Sequence, residues 1–455
     1  MSDDPTRPGE GDEPAEGGEP AEGGANGSPE QPASVATEPD DPDDDARQEI
    51  EAAKERAAAA SRLAQDATFT QRLLAALTGT SVIVTILAIL SALVIGAFII
   101  AFSDEGVRGT LGYFFSRPTD ALTVGFDSVI AAYSALVQGA LGGQSQISET
   151  FVSATPLIMT GLAVAVPLRA GLFNIGAEGQ FLAGGTVAGL LGFLFTGLPL
   201  IIHLPLAIAG GLVAGGLYGW LPGILKARTG AHEVISTIML NNIALLVTGY
   251  LVSTTLFRRP DRSDPISKSV EESARFPRLI WWEPSLRVNT SLVMAFVLAA
   301  LIFWLMERST HGFELNAVGL NPAAATSAGM NPARVVVTAF TIGGALSGAA
   351  GAATILGLQH RLTIGFSAGL GFDGITVALL GRGRIGGTVA AGILIGILKA
   401  GGRNMQAQTG TSLELALVIQ ALIIVFIAAP GLVRAIFRIR VDDLATGQVA
   451  KGWGS

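Results

Sequence analysis

Glu178 and Asp373 are carboxylates set among small and apolar residues, in GLFNIGAEGQ (Gly171 to Gln180) and GLGFDG (Gly369 to Gly374). The first stretch adds two amides, Asn174 and Gln180, and an aromatic ring, Phe173; the second adds Phe372. A charge at the centre of a bilayer costs roughly 2.5–3.5 kcal/mol on insertion scales, so groups of this kind face protein or water. Two kinds of chemistry suit them. In one they bind a polar solute in transit, which makes Phe173, Asn174, Glu178, Gln180, Phe372 and Asp373 the candidate substrate path. In the other they are structural: Glu178 is bonded to neighbouring backbone at a helix N-terminus whose dipole favours negative charge, and Asn174 and Gln180 cap and pack. A proton relay is a further reading, though it would normally need more than one intramembrane acid and the chain has few.

Covalent chemistry finds no support. The chain has no cysteine, which removes thiolate metal sites and a cysteine nucleophile. His203, His232, His311 and His360 stand singly, without metal-site spacing. Gly369 to Gly374 satisfies G-x-G-x-x-G but lacks the preceding strand, the βαβ unit and the acidic residue about 20 positions on that a dinucleotide site requires. There is no G-x-x-x-x-G-K-[ST] loop either. The expectation is a chain that is not an enzyme and holds no metal or cofactor; ATP with its magnesium, if used, belongs to another subunit. Nothing points to nucleic acid as a partner.

The elements that position these residues follow from composition. Hydrophobic residues make up 49%, charged ones only 15%, and 58 are glycine, which describes an integral membrane protein rather than a soluble core. Lipid admits helices or closed barrels, and apolar runs of the roughly 20 residues a bilayer helix needs select helices. The expected fold is therefore all-α and polytopic, with about ten spans: 81–102, 155–169, 177–196, 200–223, 234–253, 290–306, 334–357, 369–381, 385–400 and 412–430. Residues 103–154 are too polar for a clean crossing and are assigned to the outer face. Spans 155–169 and 369–381 are short. Short, glycine-interrupted segments in matching positions of two halves mark a translocation path, and the two polar stretches suggest an inverted repeat of spans two to five and seven to ten.

Around this permease domain (81–440) lie a disordered acidic tail (1–44), a juxtamembrane helix (45–80) and a C-terminal tail (441–455). Residues 1–45 hold fifteen acidic side chains and one basic, so the net charge of −8 hides a mildly basic membrane part. Arg169, Lys226, Arg228, Arg308, Arg334, Arg382, Arg384, Arg434, Arg438 and Arg440 then fall on the cytoplasmic side, with both termini. Residues 254–288 break the pattern: seven basic against five acidic side chains come out external, a place that Trp281 and Trp282 suit.

One cytoplasmic connection punctuates itself. In LNAVGLNPAAATSAGMNPAR (Leu315 to Arg334), Asn321 is an N-cap with Pro322 at the first helical position; Ala323, Ala324 and Ala325 propagate a short helix and Gly329 closes it. Asn331 and Pro332 repeat the signal. A rigid docking helix and a plain connecting turn both fit this pattern.

Four blocks in order, GLFNIGAEGQFLAGG (Gly171 to Gly185), HEVISTIMLN (His232 to Asn241), GFELNAVGLNPAAATSAGMNPAR (Gly312 to Arg334) and GFDGITVALLGR (Gly371 to Arg382), resemble permease subunits of bacterial nucleoside ABC importers. These are relatives of the ribose and branched-chain amino-acid permeases. ESARFPRL (Glu272 to Leu279) resembles their external loop. The resemblance implies a type II ABC importer-like fold, a second homologous permease subunit, a cytoplasmic ATP-binding subunit and an external lipoprotein that captures nucleoside. It also implies that Asn321 to Gly329 is the helix that couples to the ATPase. Translocation of a purine or pyrimidine nucleoside is the expected function; a ribose-like sugar, or ion-coupled secondary transport, are the alternatives.

Overall fold

A computed structural model describes residues 80–438 apart from 261; the expectations for the acidic tail, the juxtamembrane helix and the C-terminal tail lie outside them. The described chain is α-helical, with isolated β-bridges and no strand. It begins with α1 (Thr80–Ser103), α2 (Glu105–Leu111), α3 (Pro118–Leu141) and α4 (Gln144–Arg169). Then come α5 (Ala177–Leu194), α6 (Leu200–Thr229), α7 (Glu233–Ser253), α8 (Ser291–Arg308), α9 (Thr310–Leu320) and α10 (Pro322–Ser327). The last five are α11 (Pro332–Thr354), α12 (Leu370–Leu380), α13 (Ile385–Thr409), α14 (Leu413–Ala428) and α15 (Pro430–Phe437). Eight described helices are long and apolar enough to cross a bilayer, or nine if the bent pair α14 and α15 is one span.

Two groups of four helices, α4–α7 and α11–α14, make the core. Helix α4 runs along α13 and α12, and α11 runs along α6 and α5; α4 and α11 also touch. Exchanging α4 for α11 turns one set of neighbours into the other, which is the packing an inverted repeat produces.

Backbone-to-backbone contact holds this core. A Cβ on Gly215 of α6 would lie 2.4 Å from the Gly344 carbonyl oxygen of α11, and one on Gly219 would lie 2.3 Å from that of Phe340. Helices in lipid gain little from hydrophobic burial against each other, so close van der Waals packing along small residues replaces it. That use explains much of the glycine surplus.

Two expectations are corrected here. Residues 155–169 are not a short crossing: α4 starts at Gln144 and runs 26 residues. Its polar first turns are helical because tertiary partners satisfy them: Thr150 Oγ1 donates to the Ala140 carbonyl at 2.9 Å, and Ser148 Oγ accepts from the backbone N–H groups of Arg287 and Val288. Residues 103–154 are also not simply too polar to span, since α3 has the length and composition of a crossing. Its contacts nevertheless return it to the end it came from. Gly125 lies against Ala101 at the end of α1, and Ala140 meets the start of α4. Both sites lie at the end of the bundle that carries the 254–290 connection.

That connection is ordered by the chain beneath it. Ser267, Val270 and Phe276 donate backbone N–H groups to the carbonyls of Leu362, His360 and Leu356, and Glu271 donates to Gly192 at the end of α5. Its basic surplus is used locally: Arg275 donates to the Val270 carbonyl, Arg278 to that of Pro284, and Arg259 forks onto Asp264. The fork holds the exposed Asp264 carboxyl below its ordinary pKa.

Candidate functional site: two half-helices that start back to back

After Arg169 the chain turns through Ala170 and Gly171, the latter at φ +71°, and re-enters the bundle before α5 begins at Ala177. From the opposite end, residues 360–369 descend to the start of α12. Both helices start in the interior, level with Thr160 of α4 and Ser347 of α11, and run to opposite ends of the bundle. Such a meeting leaves unpaired N–H groups at two helix starts, which cannot be left bare away from water.

Side chains from the turn before α5, from α5 itself and from α7 supply the acceptors. Asn174 Oδ1 accepts from Gly176 N at 3.0 Å; its Nδ2 donates to Gln180 Oε1 at 3.0 Å and to the Ala163 carbonyl at 3.3 Å. Gln180 Nε2 returns a bond to Asn174 Oδ1 at 3.2 Å. From α7, Asn241 Oδ1 accepts from Gly179 N at 2.8 Å while its Nδ2 donates to the Ile175 carbonyl at 2.9 Å. Ser347 Oγ donates to the Ala177 carbonyl.

Glu178 joins the two starts. Its Oε1 accepts from Ser367 Oγ and its Oε2 from Gly371 N at 2.8 Å. The carboxylate therefore sits in the first turn of α5 and on an N-terminal N–H of α12, so two positive helix ends converge on one negative charge. The approach requires glycine: a Cβ on Gly371 would fall 2.3 Å from the Glu178 Cα.

The six expected path residues thus separate. Asn174, Glu178 and Gln180 are buried and bonded within the bundle. Phe173 beside them is half-buried. Phe372, 46% exposed, and Asp373 lie on the accessible side of α12. Asp373 accepts from Lys399 Nζ of α13.

Sequence reasoning missed Asn241 and Lys399. Asn241 lay inside a quoted block, where an amide in an apolar span was its signal. Lys399 is a lone cation in GILIGILKAGG, and charge in such a run needs a named partner.

At the other end α10 forms as its caps dictate. Asn321 Oδ1 accepts from Ala324 N at 3.0 Å, Pro322 stands at the first position and Gly329 takes φ +84°. Asn331 Oδ1 repeats the device for α11, accepting from Arg334 N at 3.1 Å. Ala325 is buried, while Pro322, Ala323 and Ala324 are exposed. Helix α9, which the sequence left unassigned, connects this element to the break: a Cβ on Gly319 would lie 2.2 Å from the Arg169 carbonyl oxygen, and Gly171 faces Gly319 in return.

The family model described as branched-chain amino acid transport system / permease component matches residues 146–428. The chain is similar to the guanosine ABC transporter permease protein NupP of Bacillus subtilis, at 43% identity over 308 residues that cover 68% of this chain and 88% of that one. It is similar to the nucleoside ABC transporter permease protein NupB of Lactococcus lactis, at 36% over 310 residues (66% and 83%). The glucose ABC transporter permease protein TsgB13 of Haloferax volcanii is 34% identical over 321 residues (68% and 84%). No solved structure matches.

Proposed function

The chain belongs to the permease-component family of branched-chain amino acid transport systems, and from that premise we propose that it is the membrane permease subunit of an ATP-binding cassette importer for nucleosides. Two relatives named for guanosine and nucleoside transport support the cargo. The contact of Gly319 with the turn at Arg169 and Ala170 is the observation that carries the mechanism.

The short-helix end, rich in arginine, faces the cytoplasm with both termini, and the 254–290 connection faces outward, as the distribution of basic residues favours. An ATP-binding subunit, which holds ATP and magnesium, docks on the exposed face of Asn321 to Gly329. Its closure pushes α10; α9 passes the push through Gly319 to the turn before the break; the Glu178 bridge carries it to α12. Phe372 and Asp373 on α12 line the path, and Phe173, Asn174, Glu178 and Gln180 hold the moving parts from behind. A second homologous permease completes the path. An external lipoprotein delivers the nucleoside, so the permease itself needs little affinity.

Reconstitution with the ATP-binding subunit, the second permease and the lipoprotein tests this. ATP-dependent guanosine uptake that requires all partners is expected. Uptake by this chain alone, driven by an ion gradient and indifferent to ATP, would overturn it. The similarity to TsgB13 keeps a sugar as the second reading; uptake of glucose or ribose, uninhibited by nucleosides, would select it.

A further inference from the structure

A cavity of about 350 Å³ opens beside the start of α12, bounded by α4, the end of α11 and α13. This is within the roughly 300–1,000 Å³ range of small-molecule sites. Pro156, Leu358 and Leu370 give it apolar surface, and Ser153, Gln359, Lys399 and Arg403 give it polar surface. Its charges are paired: Lys399 with Asp373, and both Arg287 (3.3 Å) and Arg403 (3.8 Å) with Glu149. Walls of this kind suit a neutral solute that has a flat apolar face and several hydroxyl and amide groups; they do not call for a strongly charged one. Among the described residues Asp373 is the hydrogen-bond partner of Lys399, which leaves two N–H donors of the ammonium for a solute.

We propose that this cavity is where the chain first holds the nucleoside, and that Lys399 selects it by donating to the base or the ribose. The proposal rests on the importer reading above. It accounts for a cation within an apolar helix, and it places the solute against α12, the half-helix that Glu178 ties to the core.

Because the chain has no native cysteine, Ser153→Cys introduces a single thiol on the cavity wall. In the complete importer, a membrane-impermeant maleimide should label it from outside, and added guanosine with its lipoprotein should abolish that labelling. Lys399→Gln should raise the KM for guanosine uptake by about tenfold, the equivalent of one hydrogen bond to a charged group, measured at matched membrane levels. Labelling that guanosine does not slow, or an unchanged KM in Lys399→Gln, would overturn the proposal. Full uptake restored by exchanging the charges (Asp373→Lys with Lys399→Asp) would also overturn it, because a pure helix-to-helix latch would survive the exchange. A wild-type complex without nucleoside uptake would instead sink the importer reading, and the cavity's ligand with it.

Discussion

At the scale of single residues, Glu178 looks from sequence like a binding group, and in the structure it is buried and bonded to Ser367 Oγ and Gly371 N. Replaced by glutamine, it can accept from Gly371 N and donate to Ser367 Oγ, so only charge assistance is lost. Glu178→Gln should therefore keep most nucleoside uptake in cells, whereas a proton-coupling acid would lose it. Glu178→Ala strands a buried N–H and a hydroxyl, at about 1–3 kcal/mol each, and should lower the thermal midpoint of the detergent-solubilised protein. Asn241→Leu should behave like Glu178→Ala, since Asn241 bonds Gly179 N and the Ile175 carbonyl at once. Asp373 lay in a quoted motif and is legible, but its partner is 26 residues away. No spacing rule connects the two; only the packing of α12 on α13 does.

Caps and close contacts decide the behaviour of whole elements. Helix α10 was legible residue by residue, because N-capping by Asn321 and the left-handed Gly329 are local. What α10 connects to through α9 was not legible, because Gly319 and Arg169 are far apart in the chain and their approach is backbone on backbone. Gly319→Leu should push α9 away from the turn and uncouple the machine: ATP hydrolysis continues while uptake falls, measured together in proteoliposomes. Gly371→Ala offers the opposite case. Its Cβ meets the Glu178 backbone rather than a movable side chain, so the protein should fail to accumulate in the membrane.

For the molecule as a whole, the expected orientation has a direct check. Single cysteines at Ser263 and Ser327, both exposed, should react with an impermeant maleimide from opposite sides of intact cells, Ser263 from outside and Ser327 only after lysis. Labelling of Ser263 from inside would reverse the topology. The sequence by itself determined the helical membrane class, most spans and the family, because apolar length and contiguous motifs are properties of neighbouring residues. It also marked both polar breaks, since glycine and charge inside an apolar run are conspicuous. The true start of α4 and the fold-back of α3 came from tertiary structure, because their polar groups are satisfied by distant partners. So did the meeting of the breaks on one carboxylate. Which polar groups are buried and which stay accessible depends on where the two halves bring their helix ends, and that is decided only when the backbones pack.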